Sequence, residues 1–299
     1  MIRIIAGITL LIGAQVQAQV LVVEPGIDDP MILHFNTAFI QRNNIASISG
    51  QASVKRDGEP MRDKSARSYY RFDPSGCTAF TNNSFGKPGS GRDTASVAWT
   101  YDTLGRAIEQ LRNDLNGHFA LRDSLNATGR VVKQVYVRIE NLSGDRYDLQ
   151  RGRETIISEE RFSYETVHDT VLLKTWSNDR GLPYREQLYH TDEWGYLRAI
   201  DDHYLITGRR GRVTFRYAEK GRLAERTEQM DLSNPTTTKH VWRYDVAGNV
   251  ITCDQSRNEK PIRHIEYLYE DGSMFLKATL AKDQETGLIH IMRYTTERR

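Results

Sequence analysis

The chain has 299 residues, of which 38% are hydrophobic and 27% are charged, as in an ordinary soluble globular protein. Its 41 Lys and Arg residues nearly balance its 39 Asp and Glu residues, which excludes the basic excess expected of a nucleic-acid-binding protein. With only eight Pro and two Cys residues, the composition also excludes collagen-like, disordered and disulfide-framework proteins. Length alone allows one large domain or two ordinary ones.

The N-terminus has the three-part pattern of a secretory signal peptide. Arg3 gives a short positive region, residues 4–12 are mostly apolar, and Val16 and Ala18 are small residues at the expected cleavage positions. We therefore predict that residues 1–18 are removed and that the protein is exported, to the periplasm or outside the cell. A buried first strand is the alternative. No later apolar run approaches the roughly 18 residues of a membrane span, so none is predicted.

Tyrosine reveals an internal repeat, and such periods are sought before individual elements are assigned. Six Tyr residues follow one another at intervals of 25, 28, 27, 25 and 25 residues, from Tyr164 to Tyr294. Several are followed by Asp and then by Gly, a combination that ends a strand in a tight turn because Gly accepts a positive φ. The residues that define the repeat are Phe72, Asp73, Gly76, Tyr101, Asp102, Gly105, Tyr164, Tyr189, Gly195, Tyr217, Gly221, Tyr244, Asp245, Gly248, Tyr269, Gly272 and Tyr294.

Each repeat has the content of one β-hairpin. Apolar and polar residues alternate before the tyrosines, as in residues 213–217 and 265–269, and alternate again after the glycines. The sequence predicts an all-β protein in which residues 72–299 form serial hairpins of about 26 residues in one elongated, twisted antiparallel sheet. Residues 19–71 are predicted to supply an N-terminal cap and the opening strands, with a short helix or lead-in strand at 31–40.

The Tyr-Asp-x-x-Gly pattern resembles the YD repeat of RHS-type proteins, most clearly at Tyr101 to Gly105 and at Tyr244 to Gly248. The whole chain resembles secreted YD-repeat-like proteins of unknown function from Bacteroidetes-type bacteria. The resemblance implies serial hairpins behind a signal peptide and an association with carbohydrate or cell-surface binding. Long RHS proteins close their repeats into a cocoon, so a partly closed shell is the alternative to the open sheet.

Candidate site residues are few. Flat indole rings can stack on a sugar or anchor a partner, so Trp176, Trp194 and Trp242 are predicted to contact a ligand if they lie on the exposed sheet face; packing within the sheet is the alternative. The acidic and histidine residues of one hairpin give a second candidate group, namely Asp201, Asp202 and His203.

No motif in the sequence predicts a metal site or a cofactor. The two Cys residues, Cys77 and Cys253, are about twelve strands apart in a linear sheet, too far for a disulfide. A bond between them would instead indicate that the array closes on itself.

The leading functional hypothesis is an exported, non-catalytic repeat protein that presents a β-surface to a glycan, a cell-surface component or a protein. The second is a hydrolase of cell-envelope glycan, for which we expect a cleft lined by Asp201, Asp202 and His203. The third is an accessory or immunity partner of an RHS-type toxin.

Overall fold

The computed structural model describes residues 19–26, 32–86 and 91–299. The predicted signal peptide lies outside these residues. The described chain contains one short α-helix and a series of antiparallel strands, and no helix in it is long and apolar enough to cross a bilayer. The elements are α1 (Thr37–Arg42), β1 (Ile45–Lys55), β2 (Arg62–Phe72), β3 (Thr78–Ser84), β4 (Asp93–Tyr101), β5 (Ala107–Asp114), β6 (Gly117–Leu125), β7 (Val131–Asn141), β8 (Arg151–His168), β9 (Val171–Ser177), β10 (Pro183–Thr191), β11 (Leu197–Tyr204), β12 (Arg210–Tyr217), β13 (Leu223–Gln229), β14 (Thr238–Tyr244), β15 (Val250–Arg257), β16 (Lys260–Tyr269), β17 (Leu276–Asp283) and β18 (Ile289–Arg298).

The sheet is a closed barrel of 18 strands, and the prediction of an open, elongated sheet is wrong. Each strand pairs with its neighbours in sequence, and the first strand also pairs with the last, from Ile45 opposite Arg298 to Lys55 opposite Ile289. The alternative of a partly closed shell is nearer to the structure. Closure satisfies the backbone N–H and C=O groups that β1 and β18 would otherwise present as bare edges.

Side chains reinforce the seam between the two ends of the chain. The hydroxyl of Ser47 donates to Glu297, and the guanidinium of Arg293 lies 2.7 Å from Asp63 on β2. The backbone N–H of Arg299 donates to the carbonyl of Asn44, and its guanidinium donates to the carbonyl of Phe72. The first and last strands of the barrel are therefore joined by both backbone and side-chain bonds.

The predicted glycine turns are present and lie at one rim of the barrel, which we call the turn rim. In the turn after β4, the carboxylate of Asp102 accepts the backbone N–H groups of Leu104 and Arg106, and Gly105 has a φ of +75°. The turn after β14 has the same pair of backbone bonds, and there Asp245 accepts from Gly248 and Asn249. Asp therefore closes the turn, and Gly supplies the left-handed conformation.

The repeat tyrosines have a role that the sequence did not reveal. Five of their hydroxyl groups donate to the backbone carbonyl of the first residue of the preceding strand in the barrel. The pairs are Tyr101 with Thr78, Tyr164 with Val131, Tyr217 with Leu197, Tyr244 with Leu223 and Tyr269 with Val250, at O···O distances of 2.6 to 2.9 Å. Each bond joins one hairpin to the next at the turn rim.

The arginine near the turn glycine adds to this connection. The guanidinium of Arg130 lies over the ring of Tyr164 at 5.2 Å, and that of Arg222 lies over Tyr244 at 5.6 Å. A guanidinium over an aromatic face is attractive, by roughly 0.5–1 kcal/mol at an exposed site. The Gly-Arg part of the motif therefore packs against the tyrosine of the following hairpin.

The main hydrophobic core lies inside the barrel, because it joins the N-terminal segment to strands from both ends of the sheet. Val20 and Ile40 pack there with Ile48 of β1, Trp242 of β14 and Leu276 of β17. The segment before β1 was expected to cap an open edge; it instead fills part of the interior. Helix α1 begins after Asn36, whose side chain accepts the N–H of Phe39.

The outer face carries paired charges. Arg122 bonds to Glu109 and Glu154, and Arg151 also bonds to Glu109, so that one network crosses β5 to β8. A smaller apolar cluster around Ala120 and Val137 lies beneath Leu149 of the loop after β7.

Closure can be tested with a cysteine pair across the seam. Ser49 of β1 lies opposite Thr295 of β18, and Cβ atoms of directly opposed residues are about 4.5–5.5 Å apart. In a background with Cys77→Ser and Cys253→Ala, Ser49→Cys with Thr295→Cys should form an intramolecular disulfide, detected by intact mass and by non-reducing electrophoresis. Ser49→Cys with Thr214→Cys is the control and should stay reduced. A seam pair that remains reduced under oxidising conditions would contradict the closed barrel.

The tyrosine hydroxyl bonds should contribute to stability. Tyr244→Phe removes the donor to the carbonyl of Leu223, and we expect it to lower the free energy of unfolding by about 1–2 kcal/mol, because a partly buried carbonyl loses its bond. Urea denaturation followed by circular dichroism measures the change. Tyr189→Phe is the matched control, since that hydroxyl donates to the side chain of Gln187 and not to backbone. Equal losses in both variants would refute the role given to the backbone bond.

Candidate ligand-binding site

The part of the described chain that precedes β1, which we call the interior segment, lies beside the candidate site. Residues 19–26 and 32–36 lie side by side: the N–H of Val22 donates to the carbonyl of His34, and the N–H of Asn36 donates to that of Val20, both at 2.9 Å. Phe35 packs edge-on against Tyr70 and Phe72 of β2, at 5.0 and 5.2 Å between ring centroids. One end of the segment is therefore held against the barrel wall by aromatic contacts.

The turn after β2 fixes the start of α1 beside this segment. Gly76 has a φ of +89°, and a Cβ at this position would lie 2.1 Å from the carbonyl oxygen of Thr37. Only glycine allows both the left-handed conformation and the close approach of the turn to the helix. This repeat glycine thus also positions the interior segment.

A cavity of about 720 Å³ lies between the interior segment and two separate parts of the wall, β2–β4 and β16–β18. Its lining combines aromatic rings with hydroxyl and amide groups and includes Tyr70, Trp99, Tyr101, Asn83, Tyr267 and Tyr294. Arg263 is also on the wall, and no Asp or Glu of the described residues lines the cavity. The volume falls in the range of roughly 300–1,000 Å³ that is typical of small-molecule sites.

Four tyrosines of this cavity, Tyr70, Tyr101, Tyr267 and Tyr294, have pKa values raised above the ordinary value of a phenol. Burial, together with the nearby Cys77 and Asp73, raises the pKa of Tyr101 to about 12. Burial also raises the pKa values of Tyr267 and Tyr294. The hydroxyl of Tyr101 already donates to the carbonyl of Thr78, so its oxygen remains available as an acceptor. The cavity therefore presents neutral phenols to a ligand.

Two of the three predicted indoles are not on an exposed face. Trp242 is 3% exposed and belongs to the interior core. Trp176 is 8% exposed and packs edge-on against Phe162, with the ammonium group of Lys174 4.1 Å from its ring centroid. Trp194 is 72% exposed at the tip of the turn after β10. The structure does not bring the three indoles together.

The acidic and histidine residues of β11 lie on opposite faces of the wall. Ile200 packs against the interior core, so Asp202 faces the interior too, where both carboxylate oxygens bond to Arg185 at 2.8 and 2.7 Å. Asp201 faces outward, 2.9 Å from the ring of His190, and His203 shares that face. These residues cannot line one cleft, as the hydrolase hypothesis requires. No cluster of three His, Cys, Asp or Glu side chains that could hold a metal ion occurs among the described residues.

Sequence reasoning missed Trp99, the tryptophan that lines the cavity. The signal was the alternation of the β4 sequence, because Trp99 is two residues before Tyr101 and therefore shares its face. Tyr267 and Tyr269 of β16 follow the same rule. A repeat tyrosine thus marks an inward face, and the aromatic residue two positions earlier lies on that face.

Comparison with solved structures finds proteins of low sequence identity. The chain is similar to a porin-like protein from Bacteroides uniformis, at 12% identity over 85% of this chain and 98% of that one, with a TM-score of 0.39. A porin-like protein from Bacteroides vulgatus is 8% identical over 83% and 98%, with a TM-score of 0.35. A LolA superfamily protein from Nitrosomonas europaea is 10% identical over 86% and 87%, with a TM-score of 0.21. No family model and no curated protein matches the chain.

The two thiols provide a test of the interior packing. Cys77 and Cys253 are both free, Cys77 partly exposed at the turn rim and Cys253 fully buried in the core. Burial, with the nearby Asp254 carboxylate, raises the pKa of Cys253 to about 12, so thiolate is scarce below that pH. At pH 8, a disulfide reagent should label Cys77 in the native protein and Cys253 only after denaturation, as read by peptide mass spectrometry. Labelling of both at equal rates would contradict the buried position of Cys253.

Proposed function

We propose that the protein is an exported, non-catalytic binding protein that holds a carbohydrate inside its barrel. The observation that carries the proposal is the aromatic-lined cavity between the interior segment and the walls at β2–β4 and β16–β18. The leading hypothesis placed the ligand on an outward sheet surface. We now place it inside, because the inward face holds the cavity.

Carbohydrate is the ligand chemistry that best fits this lining. A sugar ring has apolar C–H faces, which stack on flat rings such as Trp99, and hydroxyl groups, which bond to phenols and amides. Because Arg263 is the cationic group of the described wall and no carboxylate lines it, the cavity suits a neutral or acidic sugar.

The residues that line the cavity also favour binding over hydrolysis. Glycoside hydrolysis generally uses two carboxyl groups on either side of the scissile bond. The cavity wall has none among the described residues, and Asp201 and Asp202 are on opposite faces of β11. The proposal is therefore a binding protein and not a hydrolase.

We further propose that the hairpins are YD-type repeats of an exported bacterial protein. The shared geometry of the Asp102 and Asp245 turns and the recurring tyrosine-to-carbonyl bond support this assignment. The N-terminal sequence pattern supports export.

A glycan array tests the proposal, with the best neutral and acidic oligosaccharides then titrated by calorimetry. We expect Trp99→Ala to weaken binding at least tenfold, because the stacking surface is lost, and Trp99→Phe to recover part of it. Trp194→Ala, which removes an exposed indole outside the cavity, is the matched control and should bind as the wild type does.

Thermal unfolding of each variant separates a binding defect from a folding defect. No binding to any glycan, or binding that is lost with Trp194→Ala and kept with Trp99→Ala, would refute the interior site.

A further inference from the structure

The rim opposite the turn rim carries a row of exposed aliphatic side chains. All loops that follow odd-numbered strands lie at this end, because consecutive strands run in opposite directions. Five consecutive loops, from the one after β5 to the one after β13, each expose a large apolar residue. These residues, which we call the apolar rim, are Leu115, Leu142, Leu182, Ile206 and Leu232, with exposed fractions of 71%, 64%, 60%, 84% and 48%.

The turn rim lacks such a row. Its exposed large apolar turn residues are Leu104, Val246, and Trp194 with Tyr196 in one turn, and these three turns are not neighbours in the described chain. Single exposed apolar side chains are normal on soluble proteins and need no explanation. An exposed large apolar residue in each of five consecutive loops is instead a row along part of the rim, and such a row indicates an interaction site.

We propose that the apolar rim docks on the surface of a lipid bilayer and inserts its aliphatic tips among the acyl chains next to the headgroups. Adjacent tips are two strands apart, about 10 Å, and polar loop residues separate them. A rigid protein partner would need a separate pocket for each tip. A fluid bilayer accepts isolated side chains wherever they fall, so the spacing fits lipid better than a protein groove.

The charged residues of the five loops indicate which lipid headgroups the apolar rim would contact. The five loops contain three Arg and four Asp residues: Arg146, Arg180, Arg209, Asp145, Asp148, Asp179 and Asp231. This near balance lacks the cluster of four to eight basic residues that recognises anionic lipid. Docking therefore depends on apolar insertion, and zwitterionic headgroups are sufficient for it.

Vesicle flotation tests the proposal. The purified protein should float with phosphatidylcholine vesicles, equally at low and high salt, because screening does not weaken apolar insertion. Leu182→Ser combined with Ile206→Ser should reduce the vesicle partition coefficient by about tenfold or more, since two well-exposed aliphatic anchors are lost. Leu104→Ser combined with Val246→Ser removes residues of the turn rim that are at least as exposed, and it should have no effect.

Other outcomes would overturn the proposal. Failure to float, equal loss in the control variant, or flotation that needs anionic lipid and disappears in salt would each refute apolar docking. Sedimentation without lipid tests whether the apolar rim is a contact between two copies of the chain. A dimer that Leu182→Ser combined with Ile206→Ser abolishes would assign the apolar rim to self-association and refute lipid docking. Unchanged thermal unfolding of the variants shows that the fold is intact.

Discussion

The bond from a tyrosine hydroxyl to the first carbonyl of the preceding strand is the recurring constraint that links neighbouring hairpins at the turn rim. Neighbouring hairpins pair through backbone ladders, such as that between β13 and β14, and the tyrosine bond adds a side-chain connection between them at the turn rim. The phenol of Tyr217 reaches across to Leu197, and Tyr244 does the same to Leu223. Five such bonds occur at the turn rim of the described chain, at or near the ends of β4, β8, β12, β14 and β16, and each adds to the backbone ladder between two hairpins.

Closure and interior packing depend on each other. An open sheet would leave the inward row of Trp242, Ile265 and Tyr267 in water on a single-layer surface, at a cost of roughly 25 cal/mol for each Å² of apolar area. In the barrel these side chains meet the interior segment, which brings Val20 and Ile40 into the same core. The seam then removes the last free edges. The segment before β1 thus fills a space that only a closed sheet creates.

The sequence predicted the local structure well because local structure depends on neighbouring residues. Alternation placed the strands, and the glycines at 76, 105 and 248 marked turns that do have positive φ. Closure could not be predicted in this way, since it depends on small rotations summed over eighteen strands and on a pairing between residues about 250 positions apart. The same reason explains the site: Asp201 and Asp202 are neighbours in sequence but face opposite sides, while Trp99 and Tyr267 are distant in sequence and line one cavity.

The two rims of the barrel differ for a physical reason. The turn rim carries the hydroxyl bonds, the stacked arginines and the contact of Gly76 with α1, so its turns are short and their residues are restricted. The loops of the opposite rim vary in length, from two residues after β5 to nine after β7. Residues there are free to serve a contact outside the barrel. The bonds at the turn rim therefore restrict the residues at one end of the hairpins and leave the loop residues at the other end less restricted. The exposed aliphatic residues lie in consecutive loops at that less restricted end.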